Sequence, residues 1–460
     1  MNSHPQPATV ANNFSRRRFL GGLGMAALSL PLLSACGNGN GGAQASVPVY
    51  SQPGVKVPAQ YSGRTAVVLW SPWAGNNGEV LAQLIKSFNE SQTEIYAEIQ
   101  QFDGYDGVSE KLTAGLQAKQ VPEIAVLSDV TWNRYFLNDT LEPLNSHHGA
   151  GFSPETYHPR FYAEGVVRDE SYWVPFARST PLFYYNKEIF SAAGLPDRAP
   201  ATWDEYRGWG QELAGLQYKG KSVKMRALNG ADDWYFSGLL WAFGGSISQG
   251  LDVKLDTPES IAAAEFDRAM VHDDKSAYLA QSFVTDFTNG QVASITQSTG
   301  GLTGLAKDAK FEFGTGFLPK GLHAGVPTGG SGLSIMRNAD PVRKAAAVEL
   351  LKFLAAEEAS STWTTKTGYL PATAAALTSP TVTSLMAKNP NYKVAVDQLE
   401  IAQGPDHVRK YVNNGITEMK DVIQKLYVKN DSSEKVMKAA AQNLSRGADS
   451  IRTKYNEKVA

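Results

Sequence analysis

The chain has 460 residues and a mass of 49.7 kDa, too long for one simple core, so two or three domains are expected. With 42% hydrophobic and 19% charged residues it reads as a folded soluble protein, not a disordered or coiled-coil one. A net charge of −2 excludes the broad basic face that non-specific nucleic-acid binding needs, and the single cysteine, Cys36, excludes an internal disulfide or a multi-cysteine zinc site.

The N-terminus reads as an address. Ser15-Arg16-Arg17-Arg18-Phe19-Leu20 precedes 15 uncharged residues, Phe19 to Leu33, too few for a bilayer-spanning helix. The string resembles a twin-arginine export signal, and Leu33-Ser34-Ala35-Cys36 resembles the bacterial lipobox, in which the cysteine becomes the lipidated first residue. Residues 1–35 are therefore expected to be a signal peptide. Its removal takes away three arginines and moves the net charge from −2 to −5. Residues 36–63, rich in Gly, Ser and Pro, are expected to form a flexible tether. The expected location is the outer face of the bacterial cell membrane, anchored through Cys36.

The body opens with alternating strands and helices. Ala66–Trp70 reads as a buried strand, Val80, Leu81, Leu84, Ile85 and Phe88 recur at helical spacing, and Ile95, Ala97 and Ile99 alternate as a strand. A helix near 109–119 and a strand at 123–127 follow. This βαβαβ order implies a parallel sheet with ligand sites at the carboxyl ends of its strands. Trp173–Phe176 and Leu182–Tyr185 read as strands leaving this lobe. Thr202-Trp203-Asp204-Glu205 is a capping box opening a helix, and Pro258 occupies the first position of another. Residues 311–318 and 333–336 read as strands, 348–354 as an amphipathic helix, and the chain beyond 380 as mostly helical. The fold class is α/β. Lobe 1 is assigned to 64–180 with part of 300–380, and lobe 2 to 181–300 with 380–460.

The catalytic signals do not hold. Gly215 to Ser222 matches the P-loop pattern, but a helix enters it and a strand-like segment leaves it, the reverse of what phosphate-binding amides require. Gly215 reads instead as a helix C-cap. The seven histidines are scattered without an H-x-x-x-H pair, and no G-x-S-x-G elbow is present. No enzyme activity, cofactor or metal is expected.

Four stretches carry a family resemblance: Ala177 to Lys187, Trp241 to Gly245, Phe287 to Ala293, and Lys366 to Pro371. Together they resemble the family 1 extracellular solute-binding proteins of ABC importers, the maltose-binding type, over roughly 64–455. Ser-Thr-Pro before Tyr-Tyr-Asn-Lys, and Thr-Gly-Tyr-Leu-Pro, are most similar to the glycerol-3-phosphate or glycerophosphodiester-binding subunits. The resemblance implies two α/β lobes joined by hinge strands, closing on a ligand in the cleft between them.

It also implies site residues. Tyr105 and Asp129 would face ligand hydroxyls, Trp241 would be an aromatic platform, and Ser179, Ser298, Gly330, Tyr369 and Arg409 would surround a phosphate. The loops Ser298-Thr299-Gly300-Gly301 and Thr328-Gly329-Gly330-Ser331 would present backbone N–H groups to the anion. Taken singly, Tyr105 reads as a packing residue, Asp129 as a helix cap, Trp241 as core, each Gly loop as a turn and Arg409 as a surface arginine. Removing Arg409 would then leave the melting temperature of the empty protein unchanged. The phosphate is expected at the Arg409 end of the pocket, away from Asp129. The expected partners are a small phosphate-bearing ligand, an ABC permease and the membrane, with no nucleic acid, the chain being a monomer. A di- or oligosaccharide ligand is the alternative reading, and a surface hydrolase the third.

Overall fold

In a computed structural model the chain is described over residues 47–460, apart from residue 231. The twin-arginine segment, the apolar run and Cys36 lie outside the described residues. Ten strands build two five-stranded sheets: β1 Thr65–Ser71, β2 Ile95–Gln101, β3 Ile124–Ser128, β4 Val174–Ser179, β5 Pro181–Asn186, β6 Lys224–Asn229, β7 Ala277–Ala280, β8 Val292–Ser298, β9 Phe313–Gly316 and β10 Gly329–Ile335. The first sheet has the order β2-β1-β3-β10-β4, and the second β7-β6-β8-β5-β9. In each, three parallel strands are followed by an antiparallel strand. The result is the expected two-lobed α/β architecture with two mixed sheets.

Burial explains the local structure. Val67 to Trp70 are fully buried because helices cover both faces of the central strand, so the segment reads as a continuous apolar run. The helix Gly75–Ser91 turns Val80, Leu81, Leu84, Ile85 and Phe88 inward. Thr202 caps the helix Trp203–Glu212 by accepting from the Glu205 N–H, as the capping box predicts. Residues 217–222 form a small surface hairpin, with Gly215 and Gly220 at positive φ. Strands β6, β7 and β8 were not read as a sheet from the sequence. In the second lobe β6 is buried between exposed ends, β7 is mostly half-exposed, and β8 is buried over its first part and half-exposed over its last.

The tether expectation needs correction over its second half. The Tyr50 N–H donates to the Asn338 carbonyl at 2.8 Å, Ser51 pairs with Gln120, and the Gln52 amide donates to Glu123 and to the Ala66 carbonyl. Tyr61 stacks on Tyr96 with ring centroids 5.1 Å apart. Backbone pairing and these side chains fasten 48–61 to the first lobe, despite a composition that lacks core-forming residues.

The lobes are joined by short crossings. Thr180 alone separates β4 from β5, and residues 317–328 link β9 to β10. Gln398 braces the first crossing, donating to Thr180 Oγ1 and to the Pro181 carbonyl. The last helix, Ser433–Lys458, starts against the helix Pro258–His272 of lobe 2 and ends on lobe 1. There Arg168 donates to the carbonyls of Asn456, Glu457 and Ala460, neutralising the negative end of the helix. Among the described residues no helix is long and apolar enough to cross a membrane.

Candidate functional site

The carboxyl ends of the parallel strands in both sheets face one interlobe cleft of about 440 Å³. Seven of the eight residues expected there line it: Tyr105, Asp129, Ser179, Ser298, Gly330, Tyr369 and Arg409. They come from seven separate elements or loops, which only the two-sheet topology brings together.

Asp129 follows β3 directly, and its N–H donates to the Gly330 carbonyl of β10 at 3.1 Å. Its side chain is 6% exposed, and Oδ2 has no hydrogen-bond partner. Burial raises its pKa to about 6, against the lowering influence of Arg178 and Arg409. Tyr105 opens the helix Gly104–Gln117 and donates its hydroxyl to Ser331 Oγ at 3.2 Å. Tyr369 lies flat on Trp363, with an interplanar angle of 9°.

Arg409 lies on the short helix His407–Tyr411 and is 5% exposed. Its Nε donates to Asp233 Oδ2 at 2.6 Å, while Nη1 has no partner. It is therefore a buried, half-paired cation, not the surface arginine that its isolated sequence context suggests. Burial opposes its charge, but the carboxylates of Asp233, Asp129 and Asp232 outweigh that and raise its pKa. Asp129 and Arg409 line the same cleft. The two side chains are near enough for each to bias the ionisation of the other.

Two further expectations are corrected. Trp241 lies outside this cleft, 7% exposed, with its indole N–H directed at Asp406 at 3.4 Å. The helix Asp233–Ala242 turns that face into the core of lobe 2 and presents Trp234 to the cleft instead. Trp234 donates its indole N–H to the Thr328 carbonyl at 2.8 Å and lies over Gly329, where any side chain would collide with the ring. Nor are the two Gly-bearing segments free anion loops. Gly329 and Gly330 already belong to β10, in register with Ser179 and Arg178. The Gly300 N–H donates to Ser298 Oγ at 3.1 Å, and Tyr369 presses against Gly300. At the cleft the first segment presents Ser298 and the second the backbone of Gly329 and Gly330.

Sequence reasoning missed most of the acidic lining. Asp103 and Asp106 stand at the rim, while Asp232 and Asp233 lie deeper. Asp232 caps its helix by accepting from the Tyr235 N–H, and burial raises its pKa to about 6. An Asp-Asp-Trp sequence at a helix start carried the signal, but as a cap and not as a site. Lys420 reaches Asp106 across the cleft mouth at 3.3 Å. Five aspartates thus line the cleft against one arginine and one lysine. No group of three or more metal-ligating side chains suited to an ion occurs among the described residues. The arrangement offers acceptors, one half-paired guanidinium and an aromatic wall, with no nucleophile and base in contact.

Comparison with known proteins agrees with this geometry. Residues 83–393 match the family model described as bacterial extracellular solute-binding protein. The sn-glycerol-3-phosphate-binding periplasmic protein UgpB of Salmonella typhimurium is 27% identical over 362 residues, covering 73% of this chain and 80% of that protein. The crystal structure of UgpB from Mycobacterium tuberculosis in complex with glycerophosphocholine is 30% identical, with a TM-score of 0.79 over 84% of this chain and 99% of that one. A cyclic alpha-maltosyl-1,6-maltose binding protein from Arthrobacter globiformis, 23% identical over 84% of this chain and 99% of its own, shares the fold with a TM-score of 0.69. Matched over two thirds of its length and built on the same two-lobed frame, this chain belongs to the bacterial extracellular solute-binding proteins.

Proposed function

We propose that this protein is the capture subunit of an ABC importer for a glycerophosphodiester with a cationic head, such as glycerophosphocholine. It would be held at the outer face of the cell membrane through a lipid on Cys36 and hand its ligand to the permease. The observation that carries the reading is a pair of opposite, buried and unpartnered atoms in one cleft, Asp129 Oδ2 and Arg409 Nη1. A ligand that satisfies both must donate to the carboxylate and accept from the guanidinium, and a glycerophosphate unit does the first with a hydroxyl and the second with a charge-assisted anionic oxygen. The likeness to the two UgpB proteins supports the same chemistry.

The charge balance selects among phosphates. A second negative charge about 5 Å from a cleft carboxylate costs on the order of 3 kcal/mol at an effective dielectric near 20. Five aspartates therefore disfavour the dianionic monoester and favour the zwitterionic diester, whose ammonium they and Trp234 attract. Glycerol-3-phosphate is the second ligand in rank. A neutral oligosaccharide would suit the carboxylates and the indole and would accept from Arg409 Nη1 through a hydroxyl oxygen, but without the charge-assisted bond that a phosphate oxygen makes.

Ligand contacts to both lobes favour the closed form only by their differential affinity for it. Calorimetry with glycerophosphocholine, glycerol-3-phosphate and maltose orders the readings. The diester should bind most tightly and be recovered intact. Saturable maltose binding without a response to either phosphate overturns the proposal. Trp234→Ala should weaken diester binding about tenfold or more with little change in melting temperature. Trp241→Ala should do the reverse, costing about 3–5 kcal/mol of stability with affinity kept.

A further inference from the structure

Behind the cleft lies a charged group that the ligand cannot touch. Arg178 is fully buried in β4, its guanidinium sandwiched between Phe161 and Trp173 at 5.1 Å from each ring centroid. Nη2 donates to Glu164 Oε2 at 2.7 Å, while Nε and Nη1 have no partner, and neither does Glu164 Oε1. Arg178 and Asp129 flank Gly330 in the first sheet. Gly330 is in register with Arg178 on one side and accepts from the Asp129 N–H on the other. Arg178 and Asp129 thus stand on the two strands that neighbour β10.

We propose that Arg178 is a positioning residue for ligand capture, a buried cation behind the cleft whose charge acts on Asp129 across the Gly330 strand. The inference rests on the reading of Asp129 as a ligand contact. Burying an unpaired guanidinium is costly, and one partly exposed glutamate with an orphaned oxygen does not neutralise it fully. The remaining field acts on the nearest uncompensated carboxylate. Arg178 is the strongest of the influences lowering the pKa of Asp129, ahead of Arg409, with Glu164 and Asp233 acting against them. Lys410 and the Tyr105 hydroxyl also feel the Asp129 charge. Asp232 titrates in the same cleft, but Arg178 is not among the groups that shift it.

The sign follows from the chemistry. Ligand hydroxyls donate to the carboxylate, so affinity is complete above the pKa of Asp129 in the free protein and falls as the pH drops through it. With that value at about 6, wild-type affinity for glycerophosphocholine should fall about tenfold between pH 7 and pH 5. In Arg178→Met the carboxylate takes a proton more readily, so the midpoint of the fall should move to higher pH. Arg178→Lys should restore it toward wild type. Glu164→Gln removes an opposing charge and should move the midpoint to lower pH, which keeps the test available should Arg178→Met not fold. In an Asp129→Asn background none of these substitutions should shift the profile.

Titration calorimetry between pH 5 and pH 8 reads all of this. Midpoints unmoved by Arg178→Met and Glu164→Gln, while wild type binds, overturn this role for Arg178. A wild type that does not bind the diester at any pH overturns the proposed function instead.

Discussion

Arg409→Ala is expected to weaken diester binding by about a hundredfold or more and to lower the stability of the empty protein by about 3–5 kcal/mol. The first effect follows from losing the only guanidinium that lines the cleft among the described residues, whose Nη1 has no hydrogen-bond partner among them. The second follows from Asp233, 5% exposed, which would lose the partner that makes its burial tolerable. The two effects separate in the double variant Arg409→Ala with Asp233→Asn. Denaturant midpoints should recover toward wild type while calorimetric affinity does not. Recovery of both would mean that Arg409 serves the fold alone.

Gly330→Ala should cost about 3 kcal/mol and abolish binding together. Gly330 has φ +93°, in the left-handed region that disfavours a side chain, and a methyl group there would run into the Ala177 carbonyl. That oxygen is backbone within β4, so no rotamer change relieves the clash. Separating β10 from β4 would displace Ser179 and, through the bond from the Asp129 N–H to the Gly330 carbonyl, Asp129 as well. Urea unfolding and calorimetry on one preparation check both effects. The neighbouring Gly329→Ala meets only the Trp234 ring, so it should impair binding more than stability.

The first lobe was legible because its parallel strands are buried on both faces and read as apolar runs, with Val67 to Trp70 as the clearest case. The second sheet was not, because β7 is short and mostly half-exposed and β8 is buried only over its first part, so pattern does not separate them from loops. Seven site residues were reached through the family resemblance, Ser179 and Tyr369 inside its sharpest stretches and Tyr105 and Asp129 after the strands that precede them. Trp241 failed for a local reason. It and Trp234 share one helix, and helical spacing cannot show which face meets the cleft until the packing of lobe 2 fixes its rotation. Arg409 and Asp233 are 176 residues apart, so nothing local in either segment showed that the arginine was buried and paired. The acidic lining was hidden similarly, since the caps and rim aspartates come from both halves of the chain.

The most direct test of the central claim is a crystal structure of the protein with bound glycerophosphocholine. The phosphate should lie within hydrogen-bond reach of Arg409 Nη1, with a glycerol hydroxyl donating to Asp129 Oδ2 and the ammonium against Trp234. A phosphate held elsewhere, with Arg409 still paired only to Asp233, would contradict the account.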